Sequence, residues 1–297
     1  MLAWTALVLV GNSWYSLVCA PGLAVLTTQV VFIGHDAGHN QISASHRVNR
    51  WVGLAAGNLL AGISFGWWVP KHNAHHARPN QIGEDPDIGT GVLAFTFTGE
   101  DAVARAGVRR RIARWQAWLF VPLLMAEGVG LHITRADHLL RRRDRAAIFE
   151  GLLLLIHTAA YLNLVLVFLS PVRAIAFMAV NQAVLGLYLG LSFAPNHKGM
   201  PVLGAGSRMP FAVRQVVTAR NIAGGRIVDF VLGGLNHQIE HHLFPTMPRP
   251  NLMKVRTMVR SFCSENDLPY TETTLLESYR LSIRHLAAVA RSASPAV

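Results

Sequence analysis

The chain has 297 residues, of which 52% are hydrophobic and only 14% are charged, and its formal net charge is +11. This composition is unusual for a soluble protein of this size and is typical of a membrane protein. The excess of basic residues comes without the basic and aromatic interleaving of nucleic-acid-binding proteins, so nucleic acid is not an expected partner. Two distant cysteines, Cys19 and Cys263, support neither a disulfide framework nor a thiolate metal site.

The first 34 residues contain no Asp, Glu, Lys or Arg. A perpendicular crossing needs about 20 apolar residues, so this stretch is too long for one span. Pro21 and Gly22 offer a break, and the sequence predicts a hairpin of two transmembrane spans, about residues 2–19 and 22–38. Because the first arm is short, we expect further residues upstream of Met1. The stretch lacks the basic region that precedes the apolar part of a cleavable signal.

Eight of the fourteen histidines lie in three short clusters, HDAGH, HNAHH and HQIEHH. On a helix, residues three and four apart share a face, so the first two clusters each direct imidazoles at a common site. Eight imidazoles exceed the needs of one tetrahedral ion, and imidazole suits iron, copper, nickel and zinc. We expect two metal ions, with redox iron favoured by the membrane surroundings. The clustered histidines are His35, His39, His72, His75, His76, His237, His241 and His242. The remaining histidines, except one discussed below, are expected to be ordinary hydrogen-bonded residues: His46, His132, His138, His157 and His285.

Two apolar stretches are predicted to lie in the membrane interface. The first two clusters must reach one site, so residues 51–70 between them have to leave and return to the same side of the membrane. Its glycines and its end at Trp67 and Trp68 suit an interfacial or re-entrant helix, since Trp prefers the headgroup level. Residues 115–133 carry Glu127 between two Arg-rich runs and are given the same placement.

A second hairpin, about residues 149–169 and 172–194, follows and turns at Ser170-Pro171. Under this topology 26 of the 27 Lys and Arg residues, all but Arg173, lie on the side of the histidine clusters. The positive-inside rule then makes that side cytoplasmic. The prediction is therefore an all-α integral membrane protein of one domain, 1–297, with four spans, both termini in the cytoplasm, and a cytoplasmic helical cap formed by residues 71–147 and 198–297. The cell inner membrane is the expected location.

In their order and separation, HDAGH, HNAHH and NHQIEHHLFP resemble the three histidine boxes of the membrane fatty acid desaturase family. The resemblance covers about Val30 to Pro250. It implies a di-iron centre that uses dioxygen and two electrons to remove two hydrogens from an acyl chain. It also implies metal ligands at the matching positions: His35, His39, His72, His75, His76, His241 and His242, with His197 as the further ligand after the fourth span.

The third box departs from the HxxHH form, because Gln238 stands where the leading histidine would be and His237 is displaced by one residue. This QxxHH form resembles the front-end desaturases, and it leaves open whether Gln238 or His237 completes the site. Asp36, Asn196 and Glu240 are candidates for orienting the ligating imidazoles, and further acidic candidates lie nearby: Glu84, Asp85, Asp87 and Asp229.

The resemblance implies an acyl-CoA or acyl-lipid substrate embedded in membrane lipid. No His-Pro-Gly-Gly motif of a fused cytochrome b type domain is found, so we expect an external donor such as a ferredoxin with its reductase. Two alternatives stay open. One is a di-iron fatty acid or lipid hydroxylase of the same superfamily. The other is a histidine-rich metal transporter, for which the histidines should lie inside the spans rather than at their ends.

Overall fold

A computed structural model describes residues 2–88, 93, 96, 108–142 and 144–292. The described chain is mostly helical, as expected. The exception is one short parallel pair of strands, β1 (Asn221–Ala223) and β2 (Glu272–Thr274), which the sequence analysis did not predict. The parts of the predicted cap at 89–92, 94–95, 97–107, 143 and 293–297 lie outside the described residues.

The N-terminal break falls earlier than predicted. Helix α1 (Leu2–Val10) ends before Gly11, and a 3₁₀ turn (Trp14–Val18) leads into α2 (Cys19–Gly38). Gly11 has a φ of +62°, a conformation that glycine adopts without strain. Pro21 lies in the first turn of α2, where its missing N–H removes no helical hydrogen bond. The predicted arms 2–19 and 22–38 are therefore a short helix and a long one.

The segment between the first two histidine clusters is sharply bent. Helix α3 (His46–Gly53) continues as a π-helix (Leu54–Ala61), and α4 (Phe65–Ala77) follows after a break. The two helical arms meet at 114°. Gly62 makes the turn with a φ of +71°. This bend agrees with the prediction that residues 51–70 are not one straight span.

Three long helices follow: α5 (Val108–Arg141), α6 (Arg145–Phe168) and α7 (Pro171–His197). The last two cover the predicted hairpin 149–169 and 172–194. Among the described residues, four segments are long and apolar enough to cross a membrane: Trp14–Gly38, Arg111–Arg141, Arg145–Phe168 and Pro171–His197. The bent pair His46–Ala61 and Phe65–Ala77 would be a fifth if it formed one span. The chain therefore has the features of an integral membrane protein. The second of these segments contains residues 115–133, which were predicted to be interfacial, and its apolar length alone fits a span equally well.

The remaining helices are short, apart from two near the C-terminus. They are α8 (Phe211–Val217), α9 (Arg226–Val231), α10 (Gln238–Leu243), α11 (Arg249–Glu265) and α12 (Leu275–Ser292).

The chain forms two compact units. Unit 1 comprises Met1–Pro70 and Pro122–Gly190, and unit 2 comprises Lys71–Val121 and Leu191–Val297. An apolar core in unit 1 packs α1 and α2 against the facing ends of α6 and α7, through Leu7, Ala20, Val165, Leu169, Ala174 and Phe177. A core in unit 2 packs α8, α10 and α11 together through Val216, Ala219, Ile239, Val259 and Cys263. The second core fixes the third histidine cluster.

Candidate metal centre

Three elements of unit 2 converge on one buried cluster of imidazoles. His75 lies on α4, His197 ends α7, and His242 lies on α10. The Nε2 atom of His197 lies 3.3 Å from that of His75 and 3.1 Å from that of His242. All three side chains are buried, and each offers a nitrogen within 4.8 Å of the others. The structure thus brings together predicted ligands from the second and third boxes and the predicted extra histidine.

The outer nitrogen of each of these rings is held by a hydrogen-bond acceptor. His75 Nδ1 lies 3.0 Å from both Asp85 oxygens, and His197 Nδ1 lies 2.9 Å from the Thr218 carbonyl. His242 Nδ1 lies 2.9 Å from Gln215 Oε1. The amide of Gln215 is oriented by its own nitrogen, which donates to the His76 carbonyl. Each Nδ1 therefore donates its proton outward.

A neutral imidazole carries one N–H, so donation from Nδ1 leaves a lone pair on Nε2. Burial and the neighbouring histidines hold the pKa of His242 well below its ordinary value, which keeps that ring neutral. The three Nε2 lone pairs then face one another in a buried space. They repel one another unless they share a cation. Outward hydrogen bonding of the distal nitrogen is also the usual support of metal-ligating histidines. The donor set therefore fits a metal ion.

The other second-box and third-box histidines lie beside this cluster. His72 Nε2 is 3.1 Å from His76 Nε2. The His241 ring centroid is 4.7 Å from that of His76 and 6.4 Å from that of His72. All of these rings belong to unit 2, which therefore gathers six of the eight predicted histidine ligands.

The first box lies in unit 1, at the end of α2. The His35 and His39 rings are 4.7 Å apart, and Trp68 lies 5.4 Å from the first and 6.3 Å from the second. A Cβ atom on Gly38 would lie 2.6 Å from the Trp68 ring. The glycine of this box therefore allows the indole to close against the two histidines. From the sequence, Trp68 was predicted only to lie at the membrane interface.

The structure places Gln238 and His237 differently. Gln238 Nε2 lies 2.9 Å from His197 Nε2, while its Oε1 accepts a hydrogen bond from Asn196 Nδ2 at 3.1 Å. Asn196 Nδ2 also donates to two main-chain carbonyls, which fixes the orientation of both amides. His237 Nε2 instead lies 3.3 Å from Asp229 Oδ1. Gln238 thus contacts the three-histidine cluster, and His237 pairs with a carboxylate.

Asp36, Asn196 and Glu240, which were predicted to orient imidazoles, have different surroundings. Asp36 Oδ1 lies 3.5 Å from His35 Nδ1. Asn196 acts through Gln238, as described above. Glu240 accepts hydrogen bonds from Asn221 and Tyr270 at 2.7 and 2.8 Å, and Asn221 in turn accepts from the Ile239 main chain. Glu240 therefore supports the start of α10 rather than an imidazole in these contacts.

The outer partners of the imidazoles include two residues that the sequence analysis missed, Gln215 and Thr218. Thr218 acts through its main-chain carbonyl, which no sequence pattern can reveal, and Gln215 precedes the third box by more than twenty positions. Asp85, which holds His75, was among the acidic candidates near the second box.

The neighbour of Asp85, Asp87, pairs with Lys71, and Lys198 donates to the Asp87 carbonyl at 3.0 Å. Although burial raises the pKa of Asp85, the hydrogen bond from His75 brings it below the ordinary value, so the carboxylate stays ionised.

Known proteins resemble this chain over most of its length. The sequence profile described as "Fatty acid desaturase" matches residues 12–274. The chain is 33% identical over 290 residues to an acyl-lipid (9-3)-desaturase of Physcomitrium patens, covering 92% of this chain and 53% of that protein. It is 31% identical over 288 residues to the Delta(6)-fatty-acid desaturase fat-3 of Caenorhabditis elegans, with 92% and 64% covered. It is 32% identical over 276 residues to a Delta(8)-fatty-acid desaturase of Euglena gracilis, with 89% and 65% covered. The chain thus spans between about half and two thirds of the length of these relatives.

Proposed function

Because this chain belongs to the fatty acid desaturase family, we propose that it is a membrane di-iron desaturase that introduces a double bond into the acyl chain of an acyl-CoA or acyl-lipid. The observation that carries the proposal is the convergence of the Nε2 atoms of His75, His197 and His242, each with its Nδ1 proton donated outward. Such a set of buried neutral imidazoles is suited to a divalent metal.

We assign the iron ligands to the three boxes and the histidine that ends α7: His35, His39, His72, His75, His76, His197, His241 and His242. Imidazole binds several first-row metals, so the donor set alone does not select iron. Iron is favoured because the family acts on acyl chains. An unactivated methylene has no acidic proton and no leaving group, so acid–base chemistry alone cannot cleave its C–H bonds.

Iron bound there would supply the redox chemistry with dioxygen that removes two hydrogens from adjacent methylenes. The protein's own residues hold the ligands in place. Asp85, Thr218 and Gln215 each fix one imidazole in the tautomer that leaves Nε2 available for metal. Gln238 connects His197 to Asn196 and so restrains the third box against the end of α7. Asp36 is assigned the same orienting role for His35, and Glu240 supports α10.

The substrate head group is proposed to lie at the basic side of the protein, where Lys and Arg suit a phosphate-bearing head, while the acyl chain enters the apolar interior. We place that side in the cytoplasm and the protein in the cell membrane, by the positive-inside rule. Two electrons are supplied by an acidic donor such as a ferredoxin with its reductase.

The relatives support desaturation over the alternatives. All three are named as desaturases that act on fatty or acyl-lipid chains, which favours loss of a second hydrogen over hydroxylation. A metal transporter is disfavoured because the clustered histidines lie at helix ends and on short helices, rather than along the middle of a span.

The test is expression of the chain with a ferredoxin and its reductase, followed by gas chromatography with mass spectrometry of total fatty acids. We expect a new unsaturated chain that is absent with His75→Ala and present with His46→Ala, which removes an exposed histidine outside the boxes. Iron in the purified proteins, measured by elemental analysis, should fall only in His75→Ala. A hydroxylated chain instead of an unsaturated one would overturn the assignment, as would equal product from both variants.

A further inference from the structure

A cavity of about 480 Å³ lies within unit 1, and none of its lining residues is a predicted metal ligand. Its volume is within the range of small-molecule sites, roughly 300–1,000 Å³. The wall is largely apolar, with side chains that include Leu23, Leu60, Ile156, Leu164, Met178 and Leu185. Leu60 is 59% exposed and Ile156 46% exposed, so the cavity opens at the apolar outer surface of the unit. A ligand that enters there comes from the membrane.

The cavity also contains a cation. Arg135, on α5, is half-buried, and its guanidinium donates to the Gly62 carbonyl and, at 3.0 Å, to Thr158 Oγ1. Among the described residues no carboxylate pairs with it. Two of its five N–H groups are thus used by neutral acceptors, and no acidic side chain in the described part of the chain balances the positive charge. Ionisable residues within membrane segments are costly and most often mark a functional site.

Two histidines flank this guanidinium. His132 Nε2 lies 3.1 Å from Gln182 Oε1, and its other ring nitrogen, Nδ1, is buried with no hydrogen-bond partner in the described part of the chain. His157 donates from Nδ1 to the Leu59 carbonyl at 3.0 Å. A Cβ atom on Gly62 would lie 2.5 Å from His157 Nε2 and 3.0 Å from an Arg135 nitrogen. Glycine at this bend therefore makes room for the polar group.

The depth of the polar group argues for the kind of ligand. His157 and Gln182 lie near the middle of α6 and α7, both of which are long and apolar enough to cross a membrane. A phospholipid keeps its phosphate at the membrane surface, whereas a single-chain carboxylate can reach a cation at this depth by pairing with it. A guanidinium binds a carboxylate through two parallel hydrogen bonds.

We propose that this cavity is a binding site for a free long-chain fatty carboxylate, whose carboxylate pairs with Arg135 and whose acyl chain lies along the apolar wall. The site is additional to the iron ligands, and its occupancy does not depend on turnover. The proposed substrate is an acyl-CoA or acyl-lipid, and the ligand of this cavity is the corresponding free fatty acid, so the inference rests on the proposed function. A fatty acid from the membrane would bind in the cavity without entering the reaction.

The test measures equilibrium binding of radiolabelled oleate to the full chain in lipid nanodiscs, with unlabelled oleyl alcohol and lysophosphatidate as competitors. We expect oleate to bind, oleyl alcohol to compete at least about tenfold more weakly, and lysophosphatidate to compete more weakly than oleate. Arg135→Gln should weaken oleate binding by roughly tenfold to a hundredfold. Arg173→Gln is the matched control, since Arg173 lies on α7 of the same unit but does not line the cavity. It should bind as the unaltered chain does.

A photoreactive diazirine analogue of the fatty acid locates the site, and cross-links should map to α6 and α7 residues of the cavity, such as Ile156 and Leu164. Equal competition by oleyl alcohol would overturn the proposal, as would unchanged binding in a folded Arg135→Gln protein. Stronger competition by lysophosphatidate than by oleate would show that the site binds a phosphate rather than a carboxylate. Cross-links confined to unit 2 would place the fatty acid elsewhere. If Arg135→Gln does not fold, the oleate and oleyl alcohol comparison on the unaltered chain still decides.

Discussion

Both carboxylate oxygens of Asp85 lie 3.0 Å from Nδ1 of His75, so the ring of this second-box histidine is held by an ionised acceptor on the side away from the other imidazoles. Asp85 also accepts hydrogen bonds from the main-chain N–H groups of Asn80 and Asp87, at 2.7 and 2.8 Å. The loop after α4 is therefore folded around the carboxylate, and the carboxylate fixes the histidine. We therefore expect Asp85 to matter for the proposed metal binding by His75.

Asp85→Asn should weaken iron binding by roughly 10–100-fold, the usual effect of losing a carboxylate behind a ligating histidine. The amide can still accept a hydrogen bond, but it removes the negative charge that raises the basicity of His75. Iron retention against a chelator, measured on the purified protein, reports the change. Asp137→Asn, which removes a carboxylate that is 58% exposed on α5, is the control. Equal retention in the two variants would contradict the role of Asp85.

The third box offers a comparison between adjacent residues. Gln238→Ala should lower the iron content and the activity, because it removes the side chain that connects His197 to Asn196. His237→Ala should retain most of its iron, because that ring pairs with Asp229 rather than with the cluster. Elemental analysis and product yield measured on the same preparations test the pair. A greater loss of iron in His237→Ala would reverse the assignment.

The sequence predicted which histidines would come together and one of their supports, Asp85, but not the supports Thr218 and Gln215. The box spacing placed His72, His75 and His76 on one helix face, whereas His197 was implied only by the resemblance to the desaturase family. Thr218 contributes only a carbonyl, and Gln215 reaches His242 only through the packing of α8 against α10. Such supports depend on tertiary contacts. The N-terminal break was misplaced for a local reason, since Pro21 is tolerated in a first turn and Gly11 was not considered.

The sharp bend before α4 is stabilised by one carboxylate. Glu150 Oε2 on α6 accepts hydrogen bonds from Asn58 Nδ2, Ser64 Oγ and the Gly66 N–H at 3.0 to 3.2 Å. The side chain is buried, and each hydrogen bond to a charged group contributes about 1.5–3 kcal/mol.

Glu150→Ala should therefore destabilise the protein by roughly 3 kcal/mol or more, because three donors would lose their acceptor. Glu150→Gln keeps one acceptor oxygen and should cost less. The temperature at which half of the detergent-solubilised protein remains monomeric on gel filtration measures both. Glu127→Gln, on α5, is a charge-removing control. Equal temperatures for Glu150→Ala and the unaltered chain would show that the bend does not need this carboxylate.

Arg220 caps the helix that ends at His197. Its guanidinium, 1% exposed, donates from Nε to the Pro195 carbonyl at 3.0 Å and from Nη2 to the Lys198 carbonyl at 2.8 Å. Its main-chain N–H donates to the Asn196 carbonyl. These carbonyls are among those a helix end leaves without intrahelical partners, and a cation there also complements the helix dipole. Burial lowers the pKa of Arg220 to about 10, so the group stays charged at neutral pH.

Arg220→Lys should keep the charge but lose the forked geometry, because one ammonium cannot reach both carbonyls as a planar guanidinium does. We expect the end of α7 to loosen and His197 to lose its fixed position. Iron retention should therefore fall together with thermal stability, while the helix content measured by circular dichroism stays nearly constant. Arg280→Lys, at a side chain that is 59% exposed on α12, should change neither. If Arg220→Lys lowers stability but retains iron as the unaltered chain does, Arg220 supports the fold without positioning the ligand.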